Sequence, residues 1–339
     1  MPITLRIAMQ IRYLVICLVT AYPLLVACSN EDGGGVAHDD NAPIAFSTLS
    51  TEEQEVTTRA TSALNRDFQV YGFKKAETYV QTVFNNYTVA YADGSAGTSE
   101  DNSNNYYYIG AAQGQTIKYW DLSAEKYQFF AFCPKKAATV TGTTLSDGET
   151  MAVKMSIPDA STSECLYTEL KTVEKSDYRK VVQMVFLRPI AQVRYRFVIS
   201  DGVDKNSVKI EESSFAPANS EEKIYTGGEV TVTHSTTGTT LAINGTTELN
   251  AFTKHDTEGN YYSVLPVGST PYGAFTLRAM ISGVHKEAAV PSEYMQWKPN
   301  RRYTYVFNII DNNMTIVFVD VLEDDWIYGG YTQDEQYHW

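Results

Sequence analysis

The sequence predicts an all-β protein of two antiparallel β-sandwich domains, with about seven strands each and little helix. Apolar and polar residues alternate with a period of two along many short segments, as expected for strands with one buried and one solvated face. Turn-forming residues separate these segments every eight to twelve positions or so. An apolar content of 43% and an aromatic content of 12% favour a packed core over a disordered chain.

The most regular predicted strand lies at residues 190–199, where apolar side chains alternate with Gln192, Arg194 and Arg196. One segment, residues 165–174, has a helix-like spacing of its apolar side chains instead. The other predicted strands are residues 44–48, 68–73, 79–84, 87–91, 106–109, 117–120, 127–133, 151–157, 181–187, 208–211, 229–233, 240–243, 262–265, 274–281, 284–290, 302–310 and 315–321.

The start of the chain predicts export and lipidation. An apolar run at residues 13–27 is interrupted by Pro23 and is shorter than the roughly 20 residues that a membrane-spanning helix needs. Residues 25–28 match a bacterial lipobox, so we expect residues 1–27 to be a signal peptide. Cys28 would then be the mature N-terminus, held on the membrane by fatty-acyl chains such as palmitate.

The mature chain is predicted to have three parts. Residues 28–43 are polar and glycine-rich, and they form a flexible tether. Residues 44–187 form the N-terminal sandwich, and residues 188–339 form the C-terminal sandwich with a C-terminal strand or tail. The boundary is placed where residues 187–190 separate two strands.

Charge and cysteine usage limit the partners. The net charge of −13 argues against nucleic acid and anionic membrane surfaces, which require basic patches. Cys133 and Cys165 are 32 positions apart, without metal-ligand spacing, and either a disulfide or separate burial suits them. We expect no cofactor and no metal.

Motifs for catalysis are not found, and we predict that the protein is not an enzyme. The sequence has no nucleophile elbow, zinc-protease motif or phosphate-binding glycine loop. A hydrolase with paired carboxylates stays an alternative, because spacing does not show which carboxylates face each other. Tyr107 and Trp297 are candidate contacts for a glycan, although aromatic residues on strands also pack in cores. A monomeric surface lipoprotein that binds glycans through exposed aromatics is therefore a second alternative.

A family resemblance spans nearly the whole mature chain. The segments that carry it are residues 44–48, 57–60, 68–73, 118–120, 127–134, 186–197, 224–228, 295–303 and 324–326. In this order they resemble the fimbrillin-like (Mfa-like) lipoproteins of Bacteroidetes, which are subunits of type V pili. The acidic pair Glu31 and Asp32 resembles the signal that sends many lipoproteins of these bacteria to the outer face of the outer membrane. The alternative is that these acidic residues only keep the linker solvated.

The resemblance implies that the two β-sandwich domains are transthyretin-like. It also implies a lipid-anchored precursor at the outer membrane and cell surface, in a fimbrium, with a role in cell adhesion. It implies that an arginine-specific protease cuts between Arg59 and Ala60, with Arg66 as the nearest competing site. Its partners would be other pilus subunits, either copies of itself or paralogues, and a host or glycan ligand. Whether the subunit would be a stalk, tip or anchor stays open.

Assembly in this family implies donor-strand exchange, in which a strand of one subunit completes the sheet of another. Residues 44–58 are the segment that cleavage would remove. The candidate donor is either the tail at residues 328–339 or the strand at residues 315–321. The side chains of that strand which would be exchanged are Ile316, Val317, Phe318, Val319 and Val321.

Overall fold

In a computed structural model of the chain, the described residues form twenty strands, most of them at the alternating apolar segments. The structure describes residues 42–48, 64, 66–77, 79–91, 107–109, 114–146, 148–254, 261–266 and 272–325. The strands are β1 (Phe46–Thr48), β2 (Phe68–Ala76), β3 (Tyr79–Tyr91), β4 (Tyr107–Tyr108), β5 (Lys126–Cys133), β6 (Ala138–Thr141), β7 (Thr150–Ile157), β8 (Leu166–Thr168), β9 (Lys171–Glu174), β10 (Val182–Met184), β11 (Phe186–Leu187), β12 (Ala191–Ile199), β13 (Ile210–Pro217), β14 (Ile224–Ser235), β15 (Gly238–Leu249), β16 (Tyr262–Val264), β17 (Phe275–Ile281), β18 (Val284–Val290), β19 (Arg301–Ile309) and β20 (Ile316–Asp325).

Helical structure within these ranges is limited to single 3₁₀ turns at Lys135–Ala137, Lys175–Asp177, Lys205–Ser207 and Ser292–Tyr294. In the part of the chain described, no helix has the length and apolar character needed to cross a bilayer.

The central sheet has the strand order β11-β8-β5-β2-β3-β4, and β9 also pairs with β5. Both faces of β5 are covered, because the consecutive residues Phe129 and Phe130 are fully buried and belong to different apolar clusters. Successive side chains of a strand point to opposite faces. The continuous apolar run at residues 127–133 is therefore a strand sandwiched between two layers.

A second sheet covers one face of the central sheet and joins strands from both parts of the sequence. Its order is β15-β14-β7-β6, so a hairpin at residues 224–249 pairs with strands at residues 138–157. Val153 on β7 and Val232 on β14 are in register and fully buried against the central sheet. The predicted boundary at residue 187 is thus crossed by backbone hydrogen bonds, and its placement stays a prediction.

The remaining strands enclose a core in the C-terminal part. One sheet has the order β16-β12-β19-β20, and the other has the order β13-β17-β18. Tyr195, Phe215 and Phe307 meet between them and are fully buried. The prediction of an all-β fold with several antiparallel sheets is confirmed, although β1–β10 and β12–β19 are parallel pairs.

Five details of the predicted strands were wrong. Residues 165–174 are not helical, because β8 and β9 both pair with β5. Residues 117–120 form only an isolated bridge between Tyr119 and Pro43. The two strands predicted at residues 79–91 are one strand, β3, and β6 was not predicted. The one strand predicted at residues 181–187 is two strands, β10 and β11, which lie in different sheets.

Candidate functional site

The first described segment, residues 42–48, is inserted between two other parts of the chain. On one side β1 pairs in parallel with β10, where Phe46 is opposite Val182. On the other side the backbone N–H of Ile44 donates to the carbonyl oxygen of Lys118 at 2.8 Å. The N–H of Trp120 donates to the carbonyl oxygen of Ala42 at 3.0 Å. The segment thus has hydrogen-bonded neighbours along both edges.

The same segment fills part of the core. Ile44 and Phe46 are fully buried, and the Phe46 ring lies 5.3 Å from that of Phe84 and 5.5 Å from that of Phe129, centroid to centroid. Burial of each such side chain contributes about 1.5–3 kcal/mol before ordering costs. Ile44 and Phe46 are buried on the same side because residues two apart in an extended segment face the same way.

Thr48 is the last residue of the segment, and its side chain makes two hydrogen bonds. Its Oγ1 lies 2.8 Å from the hydroxyl of Tyr107, and it accepts from the backbone N–H of Leu64 at 3.1 Å. The two ends of the stretch that carries Arg59 are therefore hydrogen-bonded to each other. After a cut within that stretch, only non-covalent contacts would retain residues 42–48.

Three predicted sites lie outside the described residues: Cys28, Arg59 and Ala60. Arg66, the competing arginine, is described. Its Nη1 is 2.9 Å from Oε2 of Glu164, and its side chain is 29% exposed. Two residues later Phe68 begins β2 and is fully buried.

The candidate donor side chains lie on β20, the edge strand of its own four-stranded sheet. β20 pairs with β19 from Ile316 opposite Ile309 onward. Ile316 is buried, and the ring of Phe318 packs 5.8 Å from that of Phe307. Val321 is partly buried against the same core, whereas Val317 and Val319 are exposed.

The two aromatic residues predicted to contact a glycan are buried, so their expected exposure was wrong. Tyr107 is 3% exposed, and its hydroxyl is occupied by Thr48. Trp297 is 8% exposed, and its Nε1 donates to the hydroxyl of Tyr305 at 2.9 Å. Both are core residues: Tyr107 lies on β4, and Trp297 lies in the segment that precedes β19.

The two cysteines in the described part of the chain offer no reactive centre. Cys133 and Cys165 are both free and buried. Burial raises the pKa of the Cys133 thiol to about 12, which keeps it in the protonated, poorly nucleophilic form. Among the described residues, no group of three or more His, Cys, Asp or Glu side chains is arranged to hold a metal ion.

Sequence reasoning identified the leading strand but not its neighbours. Residues 118–120 and β10 lie far along the chain from residues 42–48, and backbone hydrogen bonds leave no mark on side-chain pattern. The one sequence feature that pointed to β10 was the alternation of apolar Val182 and Met184 around polar Gln183, and in the structure the two apolar residues are buried and Gln183 is exposed.

Comparison with known proteins identifies a family. A family model described as fimbrillin-like matches residues 57–326. No curated protein that was compared matches the chain. A crystal structure from Bacteroides uniformis assigned to cell adhesion shares 15% identity at a TM-score of 0.45, covering 84% of this chain and 100% of its own.

Two further solved structures are similar over comparable lengths. A fimbrial protein from Bacteroides vulgatus has 10% identity and a TM-score of 0.47, covering 84% of this chain and 100% of its own. The tip fimbrial protein Mfa3 from Porphyromonas gingivalis, with a C-terminal truncation, has 8% identity and a TM-score of 0.35, covering 84% of this chain and 98% of its own. The family match spans most of the sequence, and it supports a fimbrial subunit or adhesin at the cell surface: the chain belongs to the fimbrillin-like family.

Proposed function

We propose that this protein is a fimbrial subunit that is exported as a lipoprotein through Cys28 and cut between Arg59 and Ala60. It then assembles by donor-strand exchange into the place that residues 42–48 vacate. The observation that carries the proposal is the position of that segment, which is buried and hydrogen-bonded along both edges. No catalytic step is assigned to the chain.

Loss of residues 42–48 would create a site for another strand. The backbone at residues 118–120 and at β10 would lose its partners, and the rings of Phe84 and Phe129 would lose their contact with Phe46. Unpaired strand edges beside an apolar groove accept an incoming strand, which supplies main-chain hydrogen bonds and side chains for the groove. The vacancy therefore provides a driving force for polymerisation.

The contacts of Arg66 argue against it as the cleavage site, which leaves Arg59 as our proposal. A protease must hold several residues on each side of the cut in an extended form, which requires a segment that opens easily. Arg66 is ion-paired with Glu164 and is followed directly by the buried strand β2. Cleavage there would require part of the central sheet to unfold.

For the donor strand we propose residues 328–339 rather than β20. Withdrawal of β20 from β19 would uncover the buried Ile316 and the packed Phe318 in the subunit that supplies it. The tail lies beyond the described residues, and its Tyr328, Tyr331 and Tyr337 offer side chains for the groove.

The direct test compares two arginine variants of the purified precursor. We expect an arginine-specific protease to convert the wild-type chain and Arg66→Ala into a form that begins at Ala60 and gives ladders on a denaturing gel run without boiling. Arg59→Ala should remain uncut and monomeric. Cleavage of Arg59→Ala at the same rate, or a trimmed wild-type chain that stays monomeric, would contradict the proposal.

Identifying the N-terminal residue of the native surface protein would distinguish a polymerising subunit from an anchor of the fimbrium. A chain that begins at Ala60 has been processed for polymerisation. A chain that keeps lipidated Cys28 at the outer membrane would be an anchor.

A further inference from the structure

A cleft of about 280 Å³ with mixed polar and apolar walls lies on the central sheet, away from residues 42–48. Its lining comes from β2, β3 and β5 and from loops of the covering sheet. Phe73 and Val80 supply apolar surface, and the polar side includes Lys75, Lys126 and Gln128.

Gln128 gives the cleft a fixed hydrogen-bond acceptor. Its side chain is on β5 and the residue is 6% exposed. Nε2 donates to the carbonyl oxygen of Thr236 at 3.2 Å and to the hydroxyl of Thr172 at 3.3 Å. Because two acceptors fix the nitrogen, the orientation of the amide is determined, and its oxygen receives no hydrogen bond from the described residues. A ligand with a hydroxyl donor would supply one.

Lysines supply positive charge beside this acceptor. Lys75 and Lys126 are directly opposite each other in the pairing of β2 with β5, and like charges in that position repel. Lys75 has Glu125 at 3.5 Å, whereas Lys126 makes no ion pair with the residues the structure describes. Glu174 is opposite Lys126 on β9, but the two side chains form no ion pair. Lys126 thus keeps its ammonium group available to a ligand anion in a chain of net charge −13.

Tyr79, at the start of β3, also lines the cleft and is 59% exposed. An exposed aromatic ring next to polar groups suits the C–H face of a sugar ring. The volume falls just below the range of roughly 300–1,000 Å³ for pockets that hold drug-sized ligands. It is therefore sized for one ring.

We propose that this cleft binds an acidic monosaccharide unit of a glycan. Its carboxylate would lie against the ammonium groups of Lys126 and Lys75, a ring hydroxyl would donate to Oε1 of Gln128, and the ring would stack on Tyr79. This goes beyond the fimbrial proposal, because the cleft does not depend on cleavage at Arg59 or on polymerisation. It assigns the protein a ligand site that differs from the buried Tyr107 and Trp297.

The test uses glucuronic acid and glucose as probes for the purified uncut chain, in titrations followed by ligand-observed NMR. For a ligand of this size we expect a Kd on the order of 1 mM for glucuronic acid. Glucose, which lacks the carboxylate, should bind at least about tenfold more weakly. Lys126→Gln and Tyr79→Ala should each weaken glucuronic acid binding about tenfold.

Lys205→Gln is the matched control, since Lys205 is an exposed lysine in a 3₁₀ turn outside the cleft. Its binding should equal that of the wild type, and thermal melts should show that all three variants are folded. The proposal is overturned if glucuronic acid does not bind, if both cleft variants bind it like the wild type, or if N-acetyl-aspartate binds as tightly, which would indicate a general carboxylate site.

Discussion

At the scale of single residues, His234 shows how a buried ionisable group affects stability. Its ring stacks on Phe130 with centroids 4.0 Å apart, and Nδ1 lies 3.0 Å from the hydroxyl of Thr239. Nε2 has no hydrogen-bond partner among the described residues. Burial lowers the pKa of His234 from 6.5 to about 3. Below about pH 6.5 the unfolded chain therefore binds a proton that the folded chain does not.

Stability should consequently fall as the pH falls below about 6.5, by at most about 1.4 kcal/mol per pH unit from this group. His234→Phe retains the ring stack and removes the titration, so we expect a flatter dependence of unfolding free energy on pH. Urea denaturation between about pH 7 and about pH 4 measures it. The exposed His285→Gln is the control and should leave the slope unchanged. An unchanged slope in His234→Phe would show that ionisable groups other than His234 cause the pH dependence of the unfolding free energy.

Phe46 tests whether the leading strand contributes to the core. Phe46→Ala should lower the unfolding free energy by about 3–5 kcal/mol, because the space between Phe84 and Phe129 would be left unfilled. Ser47→Ala changes the neighbouring side chain and should cost less than about 1 kcal/mol. Chemical denaturation of both variants at neutral pH provides the comparison. A loss below about 1 kcal/mol for Phe46→Ala would mean that the segment is dispensable for folding.

At the scale of elements, β20 is the strand whose role the sequence left open. It is an edge strand, and edge strands are available for pairing with other chains. It also buries Ile316 and packs Phe318 in its own core, which favours a fixed position. We therefore expect β20 to stay in place during assembly.

A disulfide between β19 and β20 tests this expectation. Asn308 and Val317 are opposite each other, and opposite residues of an antiparallel pair are close enough for a disulfide. The oxidised Asn308→Cys, Val317→Cys variant should polymerise after cleavage as the wild type does. Deletion of residues 328–339 should abolish the ladders. If the oxidised variant fails to polymerise and reduction restores it, β20 is the donor strand.

At the scale of the whole molecule, the sheet β15-β14-β7-β6 links the two parts of the sequence. Its hairpin at residues 224–249 pairs edge to edge with β7, and Val230 and Val232 of the hairpin are fully buried against the central sheet, as Val153 of β7 is. A chain that lacks the hairpin would leave that edge of β7 unpaired and would expose part of the apolar face of the central sheet to water.

We expect a fragment of residues 42–187 to bind a hydrophobic dye such as ANS and to give poorly dispersed NMR spectra. A matched fragment that carries the hairpin, residues 224–249, on a glycine-rich linker should regain dispersion and lose most of the dye binding. A well-dispersed spectrum from the shorter fragment would show that residues 42–187 fold independently.

The strands were predictable where a single local pattern was dominant. Residues 191–199 alternate cleanly and form β12, and the run at residues 127–133 lies in β5. The helical spacing of Leu166, Leu170 and Val173 predicted a helix at residues 165–174. The segment instead forms two short strands that both pair with β5. Pairing with a distant strand outweighs a local preference, and it cannot be seen from the segment itself.

The sequence by itself determined the all-β class, most strand positions and the family resemblance. The lipobox at Cys28 is also read from the sequence, and it stays a prediction. Only the tertiary structure decided which edges receive residues 42–48, that Tyr107 and Trp297 are buried, and that Lys126 and Gln128 share a cleft. The physical reason is that alternation separates the two faces of a strand without showing what covers either face. Backbone pairing between distant segments leaves no mark in composition, so it becomes visible only in the folded chain.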